Sequence, residues 1–332
     1  MAISIDDIKK LRAMTGAGLA DVKKALTEAE GDFDKAKELL RERGLAIAAK
    51  RSDRETSNGC VLVKCVDGFA AMIALKCETD FVANGADFIA LTQSILDAAI
   101  AAKAKDVEAV KELTLANGQT AQEAVTQRSG ITGEKMELDG YLTLEGENIE
   151  VYNHMGKNTL CTMVQTNKPA AEQGHLVAMQ VAAMKPVALD AQSIDPKILD
   201  EEYKTAVEKT KLEQVQKFVD MKLKKAGLNP NLVDSEDHIE SNMSKGWLTQ
   251  EQADEARKII ADAKVEGEAN LKMPMIEGIA KGRVEKFKKE NCLVDQEFQF
   301  GDGDKATVSQ WLAKQDKDLK IVAFQRFTLV AD

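Results

Sequence analysis

Two apolar runs, Val61-Leu62-Val63 and Phe69-Ala70-Ala71-Met72-Ile73-Ala74-Leu75, flank Asp67-Gly68 and constrain the chain more than any other stretch. Asp-Gly readily takes the left-handed backbone that a two-residue hairpin turn needs, so the runs are expected to pair as antiparallel strands. The spacing then changes to helical, with Phe88, Leu91, Ile95, Ala98 and Ala99 on one face. The same order returns further on. Ile149-Glu150-Val151-Tyr152-Asn153-His154 and the run 158–165 precede a helical stretch carrying Leu176, Met179, Val181 and Ala183. A hairpin followed by a helix, twice, predicts two related α+β subdomains, with 60–82 matching 149–168. Between them lie a polar helical stretch, 106–128, and a strand-like Tyr141-Leu142-Thr143-Leu144.

The N-terminal 44 residues read as three short helices. Ser4 and Asp7 form a near capping box, and Ile5, Ile8 and Leu11 give the first inner face. Met14-Thr15-Gly16-Ala17-Gly18 breaks that helix, and Leu19, Val22, Leu26 and Ala29 form a second stripe. Asp32 caps a third helix carrying Phe33, Ala36 and Leu40, expected to stop near Gly44. Residues 45–58 turn polar and read as a linker. Residues 195–290 are helical in pattern, interrupted at Gly227 and Pro230, with a capping box at Thr249-Gln250-Glu251-Gln252 and Pro274 opening a later helix. The chain then returns to strand at Glu297-Phe298-Gln299-Phe300, a Gly301-Asp302-Gly303-Asp304 turn, a helix around Val308-Trp311-Leu312 and a last strand, Ile321 to Phe327. The segmentation is 1–54, a three-helix module; 55–147, the first core subdomain; 148–199 with 271–332, the second; and 200–270, a helical, coiled-coil-like insertion.

Composition narrows the function. The 45 basic residues against 55 acidic ones leave a net charge of −10, which argues against broad attraction to nucleic acid or anionic membranes and favours a basic protein partner. No cationic and apolar leader opens the chain, and no run of about 18 apolar residues occurs, so a cytoplasmic protein is expected. Cys60, Cys65, Cys77, Cys161 and Cys292 form no C-x-x-C pair and read as reduced, buried thiols, with Cys60 and Cys65 on opposite faces of one strand. His154, His175 and His238 have no metal-ligand spacing. Gly16-Ala17-Gly18 lacks a dinucleotide loop's third glycine, no phosphate-binding loop occurs, and Asp302 with Asp304 reads as a turn rather than a calcium loop. No nucleophile with a nearby base emerges. The chain is expected not to be an enzyme and to carry no metal and no cofactor.

One segment is unusual. Thr79-Asp80-Phe81-Val82 sets an acid beside a bulky ring where a strand hands over to a helix, a place usually given to small or polar turn residues. Either Phe81 drops into the core and Asp80 caps the next helix, or the pair is exposed and aimed at a partner.

With these residues the chain resembles the elongation factor Ts family. The match starts in the run from Leu11 to Leu26 (LRAMTGAGLADVKKAL) and continues in Thr79-Asp80-Phe81-Val82-Ala83. It recurs in Tyr152-Asn153-His154, in Val181-Ala182-Ala183-Met184-Lys185-Pro186 and in Gly282-Arg283-Val284-Glu285-Lys286-Phe287. The resemblance implies a ubiquitin-associated-like N-terminal module, a two-part α+β core with antiparallel sheets and an inserted helical hairpin, here longer than in compact members and without the C-terminal module some members carry. It implies guanine-nucleotide exchange on elongation factor Tu during translation elongation. Thr79, Asp80, Phe81 and Val82 would dislodge the partner's Mg2+, while Arg12, Met14, Thr15, Gly16, Ala17, Gly18 and Leu19, with His154 from the second subdomain, would bind the GTPase. Neither nucleic acid nor membrane is expected as a direct partner, and a heterotetramer or homodimer, through the core or the insertion, stays open. The competing reading is a non-catalytic scaffold using the ubiquitin-associated-like module.

Overall fold

The computed structural model describes residues 3–301, 303 and 305–329. They form two compact units, one of Met1–Leu189 with Gln296–Asp332 and one of Asp190–Asp295.

The first unit opens with α1 (Ile5–Thr15), α2 (Leu19–Glu28) and α3 (Phe33–Ala49). Ser4 and Asp7 make the full capping box, and the Asp32 carboxylate accepts from the Asp34 and Lys35 amides. The bundle closes on Leu11, Val22, Ala25, Leu26, Ala29 and Ala36. Then come β1 (Asn58–Val66), β2 (Phe69–Cys77), the single turn α4 (Asp80–Ala83), α5 (Ala86–Ala102), α6 (Val107–Lys111), α7 (Ala121–Thr132) and β3 (Met136–Glu145). The expected helical stretch 106–128 is thus two helices. Gly118, with φ +83°, lets the chain turn back between them so that Thr114 bridges Thr120. Next follow β4 (Ile149–Asn153), β5 (Leu160–Thr166) and α8 (Ala171–Met184).

The third helix does not stop near Gly44. Gly44 is buried inside α3, facing Gly130 of α7, and a β-carbon on Gly130 would overlap the Gly44 Cα and stand 2.9 Å from its carbonyl carbon and oxygen. The glycine is used for close backbone approach rather than for a left-handed cap, which the sequence of α3 alone does not distinguish. Backbone cannot yield as a flexible side chain would, so Gly130→Ala is expected to destabilise the first unit by about 1–3 kcal/mol. A urea midpoint equal to that of the unchanged chain would contradict the tight seam.

The second unit holds α9 (Pro196–Lys225), α10 (Glu236–Ser244), α11 (Gln250–Ala269) and α12 (Met273–Asn291). Asp195 caps α9 ahead of Pro196, Thr249 and Gln252 form the capping box of α11, and a proline lies in the first turn of α12. Val215, Val219 and Leu223 of α9 pack with Ala253, Ala256 and Ala263 of α11, and Arg283 of α12 pairs with Glu213 of α9 at 2.5 Å.

The chain re-enters the first unit with α13 (Val308–Gln315) and β6 (Ile321–Thr328). The strand expected at 297–300 is reduced to one bridge, Glu297 to Thr307. Part of its backbone is satisfied by a side chain: buried Gln180 donates to the Glu297 carbonyl at 3.1 Å and accepts from the Gln299 amide at 3.0 Å, while the Phe298 amide donates to the Ala306 carbonyl at 2.9 Å. Of the expected turn at 301–304, Asp302 and Asp304 lie outside the described residues.

Two three-stranded sheets result, ordered β1-β2-β3 and β4-β5-β6, each antiparallel around its middle strand. The hairpin-then-helix recurrence therefore extends to a third strand in each half. Alternation along β2 explains its unbroken apolar run. Phe69, Ala71, Ile73 and Leu75 face Phe88, Ile95, Leu96 and Ala99 of α5, while Ala70, Met72 and Ala74 join Val61, Ile149, Cys161 and Met163 between the sheets. Cys60 and Cys65 fall on opposite faces as their odd spacing requires. Four thiols are buried and Cys65 half-buried, and burial pushes Cys60 up to about 11 and Cys161 to about 12. Among the described residues no helix is long and apolar enough to cross a membrane.

Candidate functional site: an exposed ring on a pinned turn

β2 ends at Cys77 inside the sheet, and the chain turns at Glu78 into the single helical turn of α4. Thr79, not Asp80, is the cap: its backbone is extended and its side chain accepts from the Val82 amide. Asp80 is instead the first helical residue, its carbonyl accepting from the Asn84 amide and side chain at 2.9 Å each. Val82 and Ala83 turn towards the core around α5. Phe81 does not. It is 87% exposed, which settles the two readings of this residue against the core.

The base of the turn is held on several sides. The Glu134 carboxylate accepts from the Glu78 amide at 3.2 Å, the Thr79 amide at 3.1 Å and the Thr79 hydroxyl at 2.6 Å. The Asn58 side chain donates to the Glu78 carbonyl at 2.9 Å, and the Cys77 thiol to the Thr79 carbonyl at 3.2 Å. Burial, and then the Glu134 charge, push that thiol up to about 12. The Glu78 carboxylate accepts from the Lys135 amide at 2.6 Å and pairs with Arg54 at 3.1 Å. That amide, ahead of the arginine, holds its pKa below the ordinary glutamate value. Glu134, Glu78 and Arg54 were not singled out from sequence. Only the register of β2 with β3, which sets Cys77 opposite Met136, brings residue 134 to residue 79.

The second group is the α1–α2 turn. Gly16, at φ +68°, donates its amide to the Arg12 carbonyl at 2.7 Å, and the Thr15 hydroxyl donates to the Leu11 carbonyl at 2.7 Å. Ala17 is buried and Gly18 caps α2. Met14 and Leu19 are left 54% and 58% exposed, and Arg12 is exposed as well. Met14, Thr15, Ala17 and Gly18 border a groove of about 720 Å3 that continues along α3 and α7.

His154 stands at the end of β4, half-buried, its Nδ1 at 3.2 Å from the Tyr152 hydroxyl and its ring edge-on to Tyr152. Next to it Met155 is exposed and left-handed, at φ +53°. Among the described residues no hydrogen bond or ring contact joins the α1–α2 turn, Thr79–Val82 and His154 to one another. They are three separate patches of the first unit. Nor, among the described residues, do three or more His, Cys, Asp or Glu side chains gather as a metal site would require.

The family model described as Elongation factor TS matches residues 78–331, starting at the turn that carries Phe81. Proteins named Elongation factor Ts align over their whole lengths and over the whole of this chain. The one from Bacteroides fragilis is 58% identical over 333 residues, that from Parabacteroides distasonis 57% over 332, and that from Porphyromonas gingivalis 41% over 333. The long helical unit falls within those full-length alignments. A full-length identity above one half and a family match over most of the residues leave one conclusion: the chain belongs to the elongation factor Ts family.

Proposed function

We propose that this chain is a cytoplasmic guanine-nucleotide exchange factor for elongation factor Tu, working by displacement rather than by covalent chemistry. The observation that carries this reading is Phe81, a large apolar ring 87% exposed at the tip of a turn whose base is fully hydrogen-bonded. An exposed ring on a rigid mount gains free energy only when a partner receives it.

Mg2+ requires near-ideal octahedral oxygen ligation and links GTPase side chains to the nucleotide phosphates, so a small displacement of its surroundings weakens both. In this mechanism Phe81 enters beside the Mg2+ site of the GTPase. Thr79, Asp80 and Val82 present it and disturb the neighbouring water and side-chain network. The α1–α2 turn, from Arg12 to Leu19, docks on the GTPase domain through Met14 and Leu19, and His154 makes a second contact. Binding reciprocity then completes the cycle. A factor that weakens nucleotide binding is weakened equally by nucleotide, so incoming GTP expels it.

The test is release of a fluorescent GDP from elongation factor Tu, followed by stopped flow at substoichiometric and at saturating amounts of this chain. The expected result is release that accelerates with factor and turns over at substoichiometric amounts. Binding without any change in the release rate would replace the exchange reading by the non-catalytic scaffold.

A further inference from the structure

We propose that Glu134 is a positioning residue for Phe81: its carboxylate clamps the turn that carries the ring and so sets where the ring meets a partner. This rests on the exchange reading above and adds a residue that neither the motif nor its neighbours contain. Glu134 accepts from three donors of two successive residues, the Glu78 amide, the Thr79 amide and the Thr79 hydroxyl, at 3.2, 3.1 and 2.6 Å. Hydrogen bonds to a charged acceptor are roughly twice as strong as neutral ones.

Glu134 is itself fixed. It follows Gly133, the left-handed C-cap of α7 at φ +74°, where a β-carbon would stand 2.8 Å from an Arg51 guanidinium nitrogen. The Ser129 hydroxyl donates to the Glu134 carbonyl at 2.5 Å, and the Glu134 amide donates to the Thr132 hydroxyl at 3.3 Å. The same helix faces Gly44 of α3 through Gly130, and its Ile131 lies 3.7 Å from where a Gly16 β-carbon would be. One rigid helix thus borders the docking turn at Gly16 and, through Glu134, holds the turn of Phe81. A four-residue helix such as α4 has no cooperative stability of its own, so its orientation is only as well defined as its mount.

Glu134→Ala removes the acceptor of all three donors and Glu134→Gln keeps one side-chain oxygen. In Glu134→Ala the Glu78 and Thr79 amides are expected to exchange hydrogen about tenfold faster, with the rest of the first unit unchanged. The GDP release rate at saturating factor is expected to fall about tenfold, while the half-saturating concentration moves by no more than about twofold. Glu134→Gln should recover part of both. A clamp acting through the ring also makes Phe81→Ala and Glu134→Ala non-additive, the double variant releasing GDP no more slowly than Phe81→Ala alone. A slow Phe81→Ala beside a Glu134→Ala chain at the unchanged rate would overturn the positioning role and leave the wedge standing. Phe81→Ala at the unchanged rate would overturn the wedge and the positioning role together. Unaltered amide exchange in Glu134→Ala would also overturn the proposal.

Discussion

Phe81→Ala is expected to lower the rate of GDP release at saturating factor by at least about tenfold, equivalent to about 1.4 kcal/mol of lost transition-state stabilisation, and to leave the fold intact. The two halves have separate causes. Phe81 is 87% exposed, so truncating it opens no cavity, and the stability change should stay within about 0.5 kcal/mol, or roughly 1–2 °C in melting temperature. A core phenylalanine would lose about 3–5 kcal/mol on the same change. The ring's contact belongs chiefly to the state in which Mg2+ and nucleotide are loosened, so its loss reduces the maximal rate more than the affinity. Thermal unfolding and saturation kinetics on one preparation test both halves. A steep fall in melting temperature with normal release per folded molecule would return the ring to the core.

The double substitution Met14→Asp with Leu19→Asp is expected to raise the half-saturating concentration by about tenfold or more, with the rate at saturation preserved. Both side chains are more than half exposed in the free chain, so charging them costs little in folding. In the complex, two carboxylates would have to be desolvated where apolar side chains docked, at roughly 1–3 kcal/mol each. Point substitution tests docking more cleanly than deleting residues 1–54, because α3 belongs to that segment and its Gly44 lies against Gly130 of α7. Deletion would uncover α7 and confound docking with stability. An unchanged half-saturating concentration in the double variant would show that the α1–α2 turn does not meet the GTPase.

The sequence by itself determined the elements whose causes are local. Asp67-Gly68 sets the β1–β2 hairpin, Ser4 with Asp7 and Thr249 with Gln252 set the starts of α1 and α11, and the repeated hairpin-then-helix order sets the α+β class. Each depends on residues within one turn or one strand pair, where backbone propensity and capping decide the outcome. The tertiary structure decided what depends on distant partners. Gly44 reads locally as a helix stop, yet α3 runs through it and its bare backbone lets Gly130 of α7 approach. Residues 297–300 read as a strand, yet Gln180 takes up the Glu297 carbonyl and the Gln299 amide. Phe81 follows the same rule: the sequence leaves it between the core and the surface, and the structure exposes it on a turn whose base bonds to Glu134, a residue brought to Thr79 by the pairing of β2 with β3. Hydrogen bonds between residues far apart in sequence leave no periodic trace along the chain, and here they hold the base of the turn that carries the ring.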